Sequence, residues 1–303
     1  MLNSGLYALV VLIWGSTWLA IKFQVGVVPP IESVLYRFAI AAALLQGYLL
    51  LARPRTRFDR GTHLRFLALG LCLFSLNYLL FYTATAFGLT TGLEAVIFSF
   101  LIFMNIANAR LMFGERPQPG IRPGALIGLA GSALLFRDEI GAVFAGNATG
   151  LAILLSIGGT FLASLGNMAS RGLQARKVDV LSANAWGMTY GAGLLFMGAL
   201  ATQGRFAFDP RPGYVLSLLA LAIFGSIVAF GAYLTLLGRI GSARAAYATI
   251  LFPIIALLLS SIFEDYQWTA AKLAGVGLIV LGNFVVLRRR PLVGREGRPV
   301  KAA

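Results

Sequence analysis

Charged residues are scarce in this chain. They make up 12% of its 303 residues, whereas roughly 25% is usual in soluble domains. The sequence contains one cysteine, Cys72, and one histidine, His63. A single cysteine excludes a disulfide framework within the chain, and these two residues provide no metal-ligand spacing. We therefore expect no metal ion and no cofactor, and we expect Cys72 to be a small buried apolar residue.

Sequence patterns of membrane-embedded enzymes and of nucleotide-driven pumps are also missing. A hydrolase needs a nucleophile with a base, or a metal with its ligands, and the only histidine falls at the edge of a loop. The sequence has no phosphate-binding glycine loop with a lysine. We predict that the protein is not an enzyme, has no catalytic residues and is not driven by ATP bound to this chain.

Long apolar runs fill most of the chain, which is 58% hydrophobic. A helix needs about 20 consecutive apolar residues to cross a bilayer. The sequence therefore predicts an all-α integral membrane protein with ten transmembrane helices. The predicted spans lie near residues 5–23, 30–52, 64–87, 91–113, 122–137, 149–170, 180–201, 213–237, 241–263 and 270–287.

The formal net charge of +14 is spread unevenly over the loops. With a cytoplasmic N-terminus, ten spans place nineteen of the 25 Lys and Arg residues on the cytoplasmic side, which agrees with the positive-inside rule. We predict cytoplasmic N- and C-termini and a location in the cell inner (plasma) membrane. The basic cytoplasmic tail, residues 291–303, is expected to lie near anionic lipid. Because topology accounts for the basic charge, we expect no nucleic-acid partner.

The two halves of the sequence resemble each other. Phe113-Gly114-Glu115 ends the fourth run and Ile262-Phe263-Glu264 ends the ninth, and a glycine follows each glutamate after thirteen residues. We predict two repeats of five helices, at residues 1–140 and 146–290. Because five is an odd number of crossings, the second repeat must enter the membrane from the opposite side. Inverted repeats of this kind are typical of transporters that work by alternating access.

Short motifs in the first half resemble a known family. Trp14-Gly15-Ser16-Thr17-Trp18, Pro29-Pro30 followed by Arg37-Phe38, and Gly114-Glu115-Arg116 resemble the motifs of EamA-type proteins of the drug/metabolite transporter superfamily. The resemblance covers nearly the whole chain as two EamA units. It implies export of amino acids or other metabolites, and the likeness extends to bacterial aromatic amino-acid exporters.

The second half departs from that family pattern. Gly158-Gly159-Thr160-Phe161 lacks the tryptophans, and Phe263-Glu264-Asp265 replaces Gly-Glu-Arg. The motifs therefore point to the family more strongly than to a particular substrate.

Three charged residues are candidates for gating. Arg37 and Glu94 both fall in the outer half of the predicted membrane, so they can form a pair. The pair is either a structural salt bridge or one that opens when substrate or a proton arrives. Arg244 falls near the inner mouth, where it either attracts a carboxylate or is an ordinary positive-inside residue. Glu94 is the candidate for proton coupling, and a facilitator without a coupled ion is equally compatible with the sequence.

Aromatic residues spaced four apart suggest a binding cavity. Residues i and i+4 share one face of a helix, and such pairs occur at Trp14/Trp18, Tyr78/Tyr82 and Trp186/Tyr190. The alternative is ordinary packing between helices. The predicted substrate-binding residues are Ser16, Trp18, Asn77, Tyr78, Tyr82, Trp186 and Tyr190.

These observations predict a secondary exporter of amino acids or similar small metabolites, with large or aromatic amino acids as the favoured substrates. One alternative is a multidrug or cation exporter, which needs a central carboxylate. Another is a membrane-embedded enzyme acting on lipid. The expected partners are the small-molecule substrate and membrane lipid, and the protein is expected to be a monomer or weak dimer.

Overall fold

The computed structural model describes residues 2–52, 57–114, 121–135, 148–202, 206–241, 245 and 248–288. Within these residues the chain is helical and contains no strand. The helices, in chain order, are α1 (Leu2–Lys22), α2 (Pro30–Ala52), α3 (Arg60–Ala86), α4 (Thr91–Phe113), α5 (Ile121–Leu135), α6 (Ala148–Ala175), α7 (Val180–Thr202), α8 (Pro212–Ile240), α9 (Ala248–Phe263) and α10 (Ala270–Arg288).

Six of these helices, α1, α2, α3, α4, α6 and α8, are long and apolar enough to cross a membrane. Shorter apolar stretches occur in α5, α9 and α10, at Leu126–Leu135, Phe252–Phe263 and Ala270–Gly282. Helix α7 has the length of α2 but is not among these six. The all-helical class is therefore confirmed, the apolar helices are consistent with a membrane protein, and the count of ten spans stays a prediction.

Two contacts define the ends of the helix bundle. Lys22 Nζ donates a hydrogen bond to the Phe263 carbonyl at 2.8 Å, which brings together the C-terminal ends of α1 and α9. Arg239 Nη1 donates to Asn3 Oδ1 at 3.4 Å, which joins the end of α8 to the start of α1. We call these the Lys22 end and the Asn3 end. In the predicted orientation the Lys22 end faces outward.

The helices pack in pairs that recur between the two halves of the chain. Helix α2 packs along α7, and α5 packs along α10. Helix α1 lies against α8 and α9, as α6 lies against α3 and α4. The α5–α10 contact is so close that a Cβ atom on Gly131 would lie 2.7 Å from the Gly275 carbonyl oxygen. Small residues allow this approach between apolar helices.

The third helix of each half of the chain contains a π-helical turn. The turns lie at Cys72–Leu76 in α3 and at Leu221–Val228 in α8. A π turn inserts a residue into the α-helical pattern and is frequent at functional sites. Cys72, in the turn of α3, has a free thiol and is only partly buried. The expectation of a buried cysteine is therefore met only in part.

Candidate functional site

A small cavity lies between α1, α2, α3, α4, α8 and α9. Its volume is about 30 Å³, room for about two water molecules. Most of its wall is aromatic, and three other polar side chains, Thr17, Arg37 and Asn77, also line it. The rings are those of Trp14, Trp18, Tyr78, Phe81, Phe98 and Phe252. This volume is too small for an amino acid, so a bound substrate requires the surrounding helices to move apart.

The two tryptophans of α1 line this cavity from one helix face. The Trp18 ring meets Phe81 edge-on, with 5.1 Å between the ring centroids, and stacks on Phe252 at 6.1 Å. Trp14 donates its Nε1–H to the carbonyl of Gly225 at 3.3 Å. Since Gly225 lies in the π turn of α8, that turn satisfies the indole N–H, which needs a polar partner when buried.

Arg37 lies at the edge of the cavity and is 2% exposed. Its Nε donates to Ser226 Oγ at 2.9 Å, and its Nη1 donates to the Tyr82 hydroxyl at 3.5 Å. The guanidinium carbon also lies 4.3 Å from the centroid of the Tyr78 ring, in a cation–π contact. The structure thus places the predicted residues Tyr78 and Tyr82 together, around one buried guanidinium.

Glu94 does not pair with Arg37 in this structure. Its Oε1 accepts a hydrogen bond from Thr85 Oγ1 at 2.8 Å, and its Oε2 has no hydrogen-bond partner in the described part of the chain. Thr85 reaches Glu94 because the two residues flank the short connection between α3 and α4. The predicted ion pair is therefore replaced by separate contacts to neutral groups.

A second glutamate holds α4 and α9 together at the Lys22 end. Glu264 Oε2 accepts hydrogen bonds from the backbone N–H of Thr91 at 3.0 Å, from Thr91 Oγ1 at 2.8 Å and from Ser260 Oγ at 2.6 Å. Gly92 leaves no gap there, since an added Cβ would lie 2.8 Å from the Ser260 Cβ. Together these contacts hold α4 against α9 at this end.

Asn77 is another polar residue of the cavity wall. It is 1% exposed, and its Oδ1 has no hydrogen-bond partner among the described residues. Helix α6 packs tightly against this part of α3, because a Cβ on Gly159 would lie 3.1 Å from the Asn77 carbonyl oxygen. A buried acceptor without a donor is costly, which makes Oδ1 available to a bound ligand.

Trp186 and Tyr190 form a separate cluster and do not line the cavity. The Trp186 ring stacks on Phe66, with 6.1 Å between the centroids, and meets the His63 ring edge-on at 4.8 Å. The Tyr190 hydroxyl lies 3.0 Å from His63 Nδ1. This cluster lies between α3 and α7, in the half of the bundle nearer the Asn3 end. The two residues share a helix face as predicted, but that face packs against α3.

Ser16 is also placed away from the cavity. Its side chain is exposed, and its hydroxyl donates to the carbonyls of Leu12 and Ile13 in its own helix. The prediction that Ser16 binds substrate is therefore corrected, because its direction on α1 points outward from the bundle. Arg244, the remaining predicted gating residue, lies outside the residues that the structure describes.

Sequence reasoning missed the three phenylalanines of the cavity and the serine that holds Arg37. Phe81, Phe98 and Phe252 carry no polar atom, so a sequence does not separate them from ordinary core residues. Ser226 had one usable signal: it follows Gly225 in an otherwise apolar helix. A hydroxyl beside a glycine in a membrane span suits close contact with a neighbouring helix.

An open depression at the Lys22 end is lined by residues of α1, α8 and the segment before α8. Asp209 accepts hydrogen bonds there from the backbone N–H and the guanidinium of Arg211. These hydrogen bonds, with the positive charge, hold the pKa of the Asp209 carboxyl below its usual value. The same contact raises the pKa of Arg211. The depression therefore has an anchored ion pair at its edge.

The apolar helices surround a cavity lined by aromatic rings and one buried guanidinium. These features are those of a helical membrane protein with a polar site inside its helix bundle. The chain belongs to the EamA-like transporter family, whose model matches residues 4–137 and again residues 150–288. The resemblance predicted from the sequence motifs is thus confirmed.

Curated relatives match over most of their length. A probable amino-acid metabolite efflux pump of Escherichia coli is 24% identical over 284 residues, 91% of this chain and 92% of that protein. The uncharacterized inner membrane transporter YedA of Escherichia coli is 29% identical over 296 residues, 94% of this chain and 92% of that protein. A solved structure, 20% identical, superposes with a TM-score of 0.68 and covers 94% of this chain and 96% of the other. At that identity the likeness shows the fold alone.

Proposed function

We propose that this transporter exports amino acids, with large or aromatic side chains favoured, by alternating access and without ATP. It works in the inner membrane with both termini in the cytoplasm. The single observation that carries this proposal is the cavity lined by six rings, Arg37 and Asn77. Rings suit an apolar side chain, while a cation and a neutral acceptor suit the charged end of an amino acid.

The proposed architecture is ten spans in two inverted repeats, residues 1–140 and 146–290, followed by the tail at 291–303. Its support is the pairing of helices: exchanging each helix for the one five places along the chain leaves the described contacts α2–α7 and α5–α10 unchanged and turns α1–α9 into α6–α4. A π turn in both α3 and α8 agrees with that exchange. Two family matches in one chain point the same way.

The name of one relative, an amino-acid metabolite efflux pump, agrees with the proposed substrate class. The cavity also argues against a lipophilic cation, because its charged group is a guanidinium. A cation exporter needs a carboxylate in that place. Glu94, the nearest candidate by sequence, is bound to Thr85 and does not line the cavity.

Counterflow in liposomes tests the proposal. Purified protein is reconstituted with internal unlabelled phenylalanine, and uptake of labelled phenylalanine, leucine, glycine and tetraphenylphosphonium is measured with and without a pH gradient. We expect phenylalanine and leucine to exchange and tetraphenylphosphonium to be excluded. Exchange of the cation alone would favour the multidrug alternative, and release of lipid fragments without exchange would favour an enzyme. A response to the gradient that is lost in Glu94→Gln would assign proton coupling to Glu94.

A pair of tryptophan variants locates the site. Trp18→Ala removes a ring from the cavity wall, so we expect at least a tenfold loss of phenylalanine exchange, because the ring contacts the side chain of the substrate. Trp186→Ala removes the same kind of ring from a partly buried position outside the cavity and is the control. Both variants are checked by size-exclusion chromatography. Equal losses in the two variants would contradict the cavity as the site.

A further inference from the structure

We propose that Arg37 binds the carboxylate of the transported molecule and that this contact decides which molecules the cavity accepts. The inference rests on the proposed function, since it names the chemical group that the same cavity recognises. It assigns the carboxylate to the guanidinium and the ammonium group of an amino acid to Asn77 Oδ1.

The first step in the argument is that Arg37 has only neutral partners. They are the hydroxyls of Ser226 and Tyr82 and the ring of Tyr78. No carboxylate of the described residues forms an ion pair with it. A charge that is 2% exposed within a membrane protein is costly unless an opposite charge or water compensates it. The described residues therefore supply no counter-charge to Arg37.

The second step is that the two fully buried glutamates of the described residues, Glu32 and Glu94, are engaged elsewhere. Glu32, one turn and a half before Arg37 on α2, accepts a hydrogen bond from the backbone N–H of Ala207 at 2.6 Å. Glu94 accepts one from Thr85. Both acids have neutral partners of their own, so neither compensates the charge of Arg37 in the described part of the chain, and we assign that role to the carboxylate of the transported molecule.

The third step is that the guanidinium has donors to offer. Arginine carries five N–H groups in a planar fork that matches a carboxylate in two parallel hydrogen bonds. Of these, Nε is held by Ser226 at 2.9 Å, whereas the contact from Nη1 to the Tyr82 hydroxyl is long, at 3.5 Å. A bond of that length is weak, so a carboxylate displaces the phenol at little cost.

The fourth step is that the guanidinium is held in position from two sides. Ser226 both accepts from Arg37 and donates to the Leu221 carbonyl at 3.0 Å, so its hydroxyl is fixed by the π turn of α8. Gly225 in the same turn leaves room for the arginine, because an added Cβ would lie 3.1 Å from Arg37 Nη2. The π turn thus shapes a seat for the charged group at the cavity.

The last step concerns Asn77, which lines the same cavity as Arg37. Its Oδ1 atom is buried and has no hydrogen-bond partner among the described residues. An amide oxygen accepts hydrogen bonds from an ammonium group. One cation and one free acceptor beside a wall of rings match the three parts of a zwitterionic aromatic amino acid.

The test compares molecules that differ only in the group assigned to Arg37. Uptake of labelled phenylalanine, phenylalanine amide and phenethylamine into liposomes is measured for the wild type, Arg37→Met and Ser226→Ala. We expect the wild type to prefer the acid at least tenfold over the amide and the amine. Arg37→Met should abolish that preference, with uptake of the acid falling at least tenfold and uptake of the amine unchanged or raised. Ser226→Ala keeps the charge and should keep the preference, with uptake reduced a few-fold.

If Arg37→Met reduced uptake of all three molecules equally, the assignment would be overturned, because a purely structural arginine would affect their uptake alike. So would a wild type that moves the amide as well as the acid, although amino-acid export itself would then stand. Transport of 3-phenylpropionate but not of amino acids, lost in Arg37→Met, would keep the assignment and overturn the proposed substrate class.

Should Arg37→Met fail to give monodisperse protein, Arg37→Lys decides the question. Lysine keeps the charge but loses the planar fork. We expect weaker uptake of the acid with its preference over the amide retained. A lysine variant that treats acid and amide alike would count against the proposal.

Discussion

The crossing of α2 with α8 and the crossing of α7 with α3 occupy equivalent places in the two proposed repeats, yet they contain opposite chemistry. Arg37 and Gly187 each lie seven residues after the first residue of their helix, Pro30 and Val180. At the first crossing the arginine meets a serine hydroxyl. At the second, a Cβ on Gly187 would lie 3.0 Å from the ring of Phe74.

The difference shows how one packing arrangement supports two tasks. Phe74 and Ser226 lie fourteen residues into α3 and α8 and are therefore counterparts, each within a π turn. The α7–α3 crossing brings backbones together, since a Cβ on Gly70 would lie 2.5 Å from the Gly187 carbonyl oxygen. The α2–α8 crossing keeps the helices far enough apart for a guanidinium. The α7–α3 crossing is a tight apolar contact, and the α2–α8 crossing holds a buried arginine.

The tight crossing is where we expect the largest effect of a substitution. Gly191 on α7 faces the π turn of α3, and an added Cβ would lie 2.8 Å from the Phe74 carbonyl oxygen. Backbone cannot move aside as a side chain does, so Gly191→Leu should cost roughly 3 kcal/mol or more by overpacking. We expect little monodisperse protein and a strongly lowered melting temperature. Gly193→Leu is the control on the same helix, because Gly193 has open space around it. Similar behaviour of the two variants would mean that the crossing is looser than described.

At the crossing of α2 with α8, we expect an added methyl group to leave stability nearly unchanged but to reduce transport. Gly225→Ala brings a Cβ within 3.1 Å of Arg37 Nη2, the far end of a flexible side chain. We expect stability to change by less than about 1 kcal/mol, since alanine also favours a helix. Phenylalanine exchange should fall several-fold, because the guanidinium is displaced. Gly231→Ala, also on α8 but with no neighbour within 4 Å, is the control. A loss of the same size in Gly231→Ala would point to helix stiffness as the cause.

The smallest effects are expected where α3 and α8 begin. Asp59 caps α3 by accepting hydrogen bonds from Thr62, and these lower the pKa of its carboxyl. The pKa of Asp209, before α8, is lowered by its hydrogen bonds from Arg211. Because both pKa values are depressed in the folded protein, the stabilisation is complete above the ordinary aspartate pKa of 3.8. It is lost as the pH falls from there through the folded pKa.

Melting temperatures of Asp59→Asn and Asp209→Asn, measured between pH 6 and pH 3, check this expectation. Each variant should melt slightly below the wild type at pH 6 and should lose less on acidification. Added salt should weaken the contribution of Asp209 more, because its partner Arg211 is exposed and charged, whereas Thr62 is neutral. A variant that follows the pH profile of the wild type would show that its carboxyl contributes nothing measurable.

The positions of the helices were predictable from the sequence, because long apolar runs can be read directly from it. The depth of each residue in the membrane stays a prediction. Arg37 stood out as a charge within a span, and Tyr78 and Tyr82 as a pair on one face. Their meeting around the guanidinium agrees with that pattern. The partner of Arg37 was not predictable, because depth alone does not say which side of a helix faces which neighbour. Thr85, close in sequence, takes the hydrogen bond of Glu94 instead.

Two of the predicted aromatic pairs lie in different surroundings: Tyr78/Tyr82 at Arg37, and Trp186/Tyr190 against α3. Tyr78/Tyr82 and Trp186/Tyr190 have identical spacing, but rotation of α7 about its axis is set by Gly187 and Gly191 packing on α3. That rotation turns Trp186 toward Phe66 and away from the cavity. Ser16 was misplaced for the same reason. Spacing defines a face, and only the packing of neighbouring helices decides what the face touches.

The backbone contact between α5 and α10 has a mechanical consequence for the whole protein. Gly131 and Gly275 approach each other's carbonyl oxygens, and Gly282 lies against the backbone of Gly128, so main chain faces main chain along this strip. Sliding of one helix along the other would bring backbone atoms into collision. We therefore expect α5 and α10 to move as one unit whenever the two proposed repeats change their relative position.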